Sequence, residues 1–437
     1  MVDWWQQPAL AKGGEAAGPL RVCIVGAGFS GIGMAVKLRE MMRQAGEREE
    51  RGYAFLLLEK GGEVGGTWAW NKYPGCACDV VSPLYSFSWA PNAEWTTTYP
   101  SQPEILAYLK GIVAERGLER DMLLNTEMEG ARFDTPSRMW EVRVAGRPGP
   151  LYCHALVSGM GGLHTPAYAD IPGRERFQGP QMHTTRWDTS FDPADRIIAV
   201  IGSGASAVQV VPELRKTARK VVVVQRTPNW MVPRGDTPYS KLTLWLFAAM
   251  PLLLVLVRWF YYFYAELLYY LVWDNPDRWA ARMVRRVLSW HITREVHDQD
   301  LAAKLTPTYA PGCKRVLITD AFYRAVNQDN VAVDTRRISA IVPQGLQMDD
   351  GSVNEVDTLV WATGFQVMGG FPPLYGQNGV ELNQRWQMGD NVVTKLGIVA
   401  PEFPNFFILL GPNTGLLLNL GIFYDFLFIS DFLFFIL

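Results

Sequence analysis

Arg21-Val-Cys-Ile-Val-Gly-Ala-Gly-Phe-Ser-Gly31 decides the fold. An apolar run ends directly at Gly26, and Ile32 to Gln44 follows with Ile32, Val36 and Leu38–Met42 at helical spacing among polar residues. Strand, glycine turn and helix together are the context that a dinucleotide fingerprint requires. Gly26 permits the tight turn, Gly28 lets backbone approach a pyrophosphate, and Gly31 lets the helix pack close to the strand. The helix N-terminus offers phosphate its amide donors and the positive end of a dipole. A second strand, Tyr53 to Leu58, ends in Glu59, placed to accept a bond from a ribose hydroxyl. Glu59 arrives later than the ~20 residues usual in the fingerprint. The charged stretch Gly46 to Gly52 reads as the lengthened loop behind that delay.

The pattern returns. Arg196-Ile-Ile-Ala-Val-Ile201 enters Gly202-Ser-Gly-Ala-Ser-Ala207, with Ala207 in the third position, and a helix begins. Its second strand, Val221 to Val224, ends in Gln225-Arg226-Thr227, so an arginine stands where the first unit has its acid. An acid there favours an unphosphorylated ribose and an arginine accommodates a 2′-phosphate. The first site therefore suits FAD or NAD and the second NADP. The fold class expected is α/β, with two Rossmann-like dinucleotide-binding domains.

Composition agrees with a globular chain. Of 437 residues, 49% are apolar and 19% charged, enough to bury two or three cores. Forty-one Lys and Arg against 43 Asp and Glu give a formal charge of −2, which supplies no attraction for nucleic acid. Five cysteines are an odd number for a disulfide framework and point to free thiols in a reducing, cytoplasmic setting. Cys76 and Cys78 are spaced CxC rather than the CxxC of a redox pair and read as ordinary thiols. No metal site is assigned. Residues 1–20 read as a mobile leader without the apolar core of a signal peptide.

Gly65-Gly-Thr-Trp-Ala-Trp-Asn-Lys-Tyr-Pro-Gly75, with Asp79 just beyond, reads as an irregular loop whose aromatics can pack on a flat ring. Gln102 to Arg116 has helical spacing, and Asn125 to Gly146 reads as a strand pair. Tyr152 to Gly162 reads as one strand running into a glycine crossing between domains. Residues 241–273 are the greasiest interior part. They read as two helices, Leu242 to Val257, interrupted by Pro251, and Trp259 to Trp273 after Arg258, each short of the ~20 residues of a span. They form a cap over a pocket or, as the sharper alternative, a monotopic membrane contact. Arg278 to Glu295 continues as a basic helix. Thr306-Pro-Thr-Tyr-Ala-Pro-Gly-Cys-Lys-Arg315 brings Lys314 and Arg315 onto a loop. Val331 to Val342 is strand-like, and Asp357 to Val360 ends in the crossing Trp-Ala-Thr-Gly-Phe365. Phe406 to Leu410 is a short strand before Gly411-Pro-Asn-Thr-Gly415.

Phe177-Gln-Gly-Pro-Gln-Met-His-Thr-Thr-Arg-Trp-Asp188 has neither helical nor strand period and reads as an ordered loop linking the two nucleotide units. Its Phe177, Gly179, His183 and Trp187-Asp188 match a signature of the Baeyer–Villiger group of class B flavin-dependent monooxygenases. Gly66, Trp68, Tyr73-Pro74-Gly75 and Asp79 match that group's longer signature, and Ala362-Thr363-Gly364 its later crossing. The chain resembles that group from about Val22 to Thr414. Sister enzymes that oxidise nitrogen and sulfur carry Phe or Tyr where Trp187 stands.

The resemblance implies FAD, NADPH and O2, a peroxyflavin, and insertion of one oxygen into a ketone to give an ester or lactone. It implies that Arg315 stabilises the anionic flavin adduct and that Asp79 orients Arg315. Lys314 and Arg226 would bind the 2′-phosphate, and Trp68 and Tyr85 would stand beside the flavin. Thr67, Ser206 and Thr227 fall at cofactor positions, and His183 and Trp187 brace a moving NADP domain. The FAD domain would be split, 21–155 plus 365–437. The NADP domain, 156–364, would contain an inserted helical cap at about 236–330. The resemblance stops after Gly415, where a Phe- and Leu-rich tail reads as a truncated or misread C-terminus or, second, as an anchor. The alternatives in function are a nitrogen- or sulfur-oxidising flavin monooxygenase and a catalytically weak FAD-binding protein.

Overall fold

The computed structural model describes Trp5 and residues 20–45, 53–273, 275, 277–367, 371–412 and 414. Two parallel five-stranded sheets organise it. In the first, the strands run in the order Phe406–Ile408, Ala155–Ser158, Leu20–Val25, Tyr53–Leu58, Met122–Leu123. Val22 to Val25 is buried throughout because both faces are covered, which is why the strand reads as an unbroken apolar run. The helix Phe29–Ala45 lays Ile32, Met34, Val36 and Leu38 on one face. On the other, an antiparallel sheet packs Trp140 and Val142 against Cys23, Val25 and Leu58. Phe406–Ile408 enters this sheet from the far end of the chain, so the first unit is discontinuous in sequence.

The second sheet has the order Val331–Asp334, Lys220–Val224, Ile197–Ile201, Thr358–Trp361, Gln181–His183. Its last strand corrects the reading of Phe177–Asp188 as a loop. Gln181–His183 pairs in parallel with Leu359–Trp361, and Thr184–Arg186 makes a 3-10 turn. Three residues are too few for strand alternation to show in sequence.

Other expectations need the same kind of correction. Tyr152–Gly162 holds two strands, Leu151–Cys153 and Ala155–Ser158, which belong to different sheets. Ala155–Ser158 lies in the first sheet, so that sheet runs past residue 155. Val331–Val342 likewise divides into Val331–Asp334 and Ile338–Val342, in separate sheets. Thr67–Trp70 forms one helical turn inside the supposedly irregular glycine-rich loop. In 241–273 the break falls at Pro251, the first residue of a new helix, where a missing N–H costs nothing. That helix, Pro251–Leu268, runs through Arg258 and continues to Trp273 as a π turn. Arg258 does not end it because its guanidinium turns inward and donates to the carbonyls of Pro83, Leu84 and Ser86 at 3.1, 3.2 and 2.9 Å. Trp5 is buried in the core beside the antiparallel sheet, so that point of the leader is not mobile. The rest of residues 1–19, Gly46–Gly52 and the tail from residue 415 lie outside the described residues.

Candidate active site

The first glycine turn is closed from several sides. Gly26 has φ +102°, and a Cβ there would sit 2.5 Å from the carbonyl oxygen of Gly159, in the crossing after Ala155–Ser158. Glu59 is 5% exposed. Its two oxygens accept the Ala27 N–H at 2.8 Å and the Gly61 N–H at 2.7 Å. It thus latches the turn to the loop after the second strand and keeps lone pairs for a further donor. The Gly65 N–H donates to the Ala27 carbonyl at 2.8 Å. A Cβ on Gly66 would lie 2.8 Å from the Cα of Gly28. The 65–79 stretch therefore begins pressed against the first turn, and Gly28 meets it backbone to backbone.

Beside the turn, the buried Trp68 donates its indole N–H to the Tyr85 hydroxyl at 3.0 Å. Tyr85 also meets Phe29, the first residue of the helix, with ring centroids 5.1 Å apart. Burial raises the Tyr85 phenol well above its ordinary range, so it stays protonated. Thr67 opens the helical turn, and its carbonyl accepts from Asn71.

The same stretch then crosses to the second unit. Gln209 lies on Ala205–Leu214, the helix that follows the second glycine turn. The Tyr73 hydroxyl donates to the Gln209 side-chain oxygen at 2.8 Å, and the Gln209 amide donates to the Ala77 carbonyl at 3.0 Å. One loop thus touches both nucleotide turns. At its end Asp79 is paired with Arg315, which comes from just before the strand Leu317–Ile318. Arg315 is 42% exposed and Asp79 18%, so the pair is held yet remains reachable. Burial pushes the Cys76 thiol up to about 12 and Cys78 well above its usual value, so both are poor thiolates.

The second turn repeats the first and is more open. Gly202 has φ +114°, and a side chain there would collide with the Ala362 carbonyl, in the Ala362-Thr363-Gly364 crossing. No atom lies within 4 Å of a Cβ built on Gly204. Gly204 is the N-cap of Ala205–Leu214 and brings no side-chain cap, while Ser206 and the buried Ala207 sit in the first turn. Arg226 is exposed, and the Thr227 carbonyl accepts from the Ser203 hydroxyl at 3.1 Å. Lys314 stands 5.0 Å from the ring centroid of Tyr309, whose hydroxyl donates to the Pro228 carbonyl at 3.1 Å. Tyr309 thereby brings the loop of Lys314 up to Pro228, two residues past Arg226.

The Phe177–Asp188 residues build sheet. A side chain on Gly179 would collide with the Asp357 carbonyl, at the start of the neighbouring strand, and Phe177 packs in the core against Leu359 and Trp361. His183 is wholly buried, takes the Thr185 N–H on Nδ1 at 3.1 Å, and meets Tyr168 and Phe365 edge-on. Burial lowers its pKa to about 4. A neutral residue locked in an edge strand is a brace for the second crossing rather than a moving part. Trp187 is half-buried against Phe191, and Asp188 is exposed. Sequence reasoning missed Gln209 and Arg258. The one available signal was a polar residue in an otherwise apolar helix, and it does not name the distant partner.

The chain is similar to known proteins over most of its length. Residues 23–246 match the family described as pyridine nucleotide-disulphide oxidoreductase, and residues 155–377 that described as flavin-binding monooxygenase-like. A Baeyer-Villiger monooxygenase of Pseudomonas aeruginosa is 39% identical over 404 residues, covering 92% of this chain and 74% of that protein. The OTEMO structure complexed with FAD and NADP superposes with a TM-score of 0.83 at 29% identity, over 96% of this chain and 86% of that one. Cyclohexanone monooxygenase from Rhodococcus sp. Phi1 bound to NADP+ gives 0.82 at 28%, over 95% and 85%. With two glycine turns, one loop clasping both and the paired signatures in place, the chain belongs to the flavin-binding monooxygenase-like family, in its Baeyer–Villiger group.

Proposed function

We propose that this chain is an FAD- and NADPH-dependent monooxygenase that inserts one atom of O2 into a ketone to give an ester or lactone. The observation that carries the reading is the Asp79–Arg315 pair at the end of a loop that clasps both nucleotide turns.

The residues present fit both cofactors. At the first turn, Gly28 presents bare backbone and Glu59 retains accepting capacity toward a ribose. Trp68 and Tyr85 wall the space beside it. At the second, the leading amides of Ala205–Leu214 have no side-chain cap and face open space at Gly204, which suits a pyrophosphate. Arg226 and Lys314 supply cations for a 2′-phosphate. When bound, the flavin, reduced by NADPH, supplies the chemistry of O2.

The protein's part is electrostatic and geometric. Arg315 offers a planar guanidinium with five N–H donors in a fixed fork. Asp79 accepts from it in a charge-assisted contact that orients the guanidinium. A fixed cation favours negative charge that develops beside it and needs no reorganisation when it does. Trp68 and Tyr85 stay neutral and shape the wall without adding charge. The FAD unit draws on 21–158 and 365–437 and the NADP unit on 159–364, with the helical insertion at about 236–330. The strand Phe406–Ile408 in the first sheet supports that split. Five free cysteines are in keeping with a reducing, cytoplasmic location.

The test is a ketone and a thioether incubated side by side with enzyme, NADPH and air. Ester or lactone from the ketone is expected. Sulfoxide without any ester would transfer the chain to the sulfur- and nitrogen-oxidising reading.

A further inference from the structure

The helix Pro251–Leu268 presents its aromatic side outward. Leu252, Leu256, Phe260, Phe263, Tyr264 and Leu267 are each more than half exposed and fall within one continuous arc of the helix. Leu254 and Arg258 point the other way, into the body of the protein. On the adjacent helix Trp279–Glu295, exposed Trp279, Met283 and Trp290 form a stripe. The exposed Arg282, Arg286 and Arg294 interleave with that stripe. A monomer rarely leaves an apolar patch of more than a few hundred Å² uncovered without a use for it.

We propose that this face docks on the surface of an anionic lipid bilayer, with Pro251–Leu268 lying in the plane of the interface. Three observations select this occupant. Leaving out Arg258, which turns inward, residues 241–295 carry six Lys and Arg against four Asp and Glu, although the chain as a whole is at −2, so this segment is net cationic. Arginines beside tryptophans on an apolar surface suit phosphate headgroups above acyl chains. A second copy of the chain fits worse, because a two-fold interface apposes the same patch to itself and sets these arginines against one another. Finally, the described residues contain one helix long and apolar enough to cross a membrane, Pro251–Val272. It cannot turn to do so while Arg258 is bonded to three backbone carbonyls of the 83–86 loop.

The experiment is co-sedimentation of the full chain with vesicles of phosphatidylcholine, with and without phosphatidylglycerol, alongside light scattering without lipid. Binding to the anionic vesicles is expected to be roughly tenfold or more tighter than to neutral ones and to weaken with salt. Phe260→Asp combined with Phe263→Asp should abolish it while leaving NADPH-dependent flavin reduction and the thermal midpoint unchanged. Arg286→Glu should lower only the preference for anionic lipid. No binding to either vesicle would overturn the proposal. So would binding that survives in the double variant, which would place the lipid contact elsewhere in the chain. A lipid-free dimer that the double variant converts to monomer would make a second copy the occupant and overturn it as well.

Discussion

Gly26–Gly31 and Gly202–Ala207 begin alike: each follows a buried parallel strand and each packs its first glycine under the carbonyl of a later crossing, Gly159 or Ala362. They differ in what closes over them. The first is latched by Glu59 through two backbone amides and covered by Gly66 at backbone contact. The second has open space at Gly204 and an exposed arginine at its strand end. One backbone design thus appears once closed over and once open. The loop 65–79 meets both units, at Gly28 of the first and at Gln209 of the second.

The sharpest way to break this comparison is at the shared loop's end. Arg315→Ala should lower oxygen insertion by roughly 10²–10³-fold, the usual loss for a fixed electrostatic group. Flavin content and NADPH-driven flavin reduction should persist, since neither turn is touched. Ester yield close to that of the unaltered protein would remove Arg315 from the chemistry. Next, Gly66→Ala places a methyl 2.8 Å from Gly28 and should destabilise the chain by roughly 1–3 kcal/mol, with loss of flavin on gel filtration. Gly204→Ala meets no neighbour and should leave flavin content and thermal midpoint unaltered while raising the KM for NADPH. Equal behaviour of the two variants would abolish the closed–open distinction.

The two crossings share a titration. His164 after the first and His183 beside the second are both held neutral, with pKa values lowered to about 4 chiefly by burial, with Arg186 and other cations adding. The unfolded chain binds these protons near the ordinary 6.5, before the native one does. Stability should therefore be full above pH 6.5 and fall as pH drops toward 4. The loss should be on the order of 3 kcal/mol at most for each histidine, because each tenfold difference in proton affinity between the two states is worth about 1.4 kcal/mol. Thermal midpoints across that window should fall less steeply in His183→Asn, which keeps an acceptor for the Thr185 N–H. An unchanged slope would mean that His183 is already charged in the native chain. The smallest effect is at the second strand end. Arg226→Ala should raise the KM for NADPH roughly tenfold and leave NADH untouched, because a phosphate contact is lost. Equal losses with both donors would make Arg226 structural.

Both glycine turns were legible because parallel strands buried on two faces read as unbroken apolar runs, and their glycines answer to steric contacts within the turn and its crossing. Short elements were not. Gln181–His183 is three residues long, and its strand character comes from its neighbour Leu359–Trp361 rather than from its own pattern. Composition also misplaced the break in the greasy segment, because Arg258 reads as a solvent-seeking charge until the carbonyls of the 83–86 loop are in view. The clasp through Gln209 spans 136 residues and the Asp79–Arg315 pair 236. No local period encodes contacts of that separation. The pairing of Asp79 with Arg315 was legible only through the family resemblance, and Gln209 not at all.

The central claim is that a cofactor held at the first turn is reduced from the second and then reacts with O2. The most direct test is the absorption spectrum of the purified protein before and after anaerobic NADPH, and again after admission of air. The account predicts that NADPH bleaches the bound flavin and that air restores it. A flavin that NADPH never bleaches would contradict it.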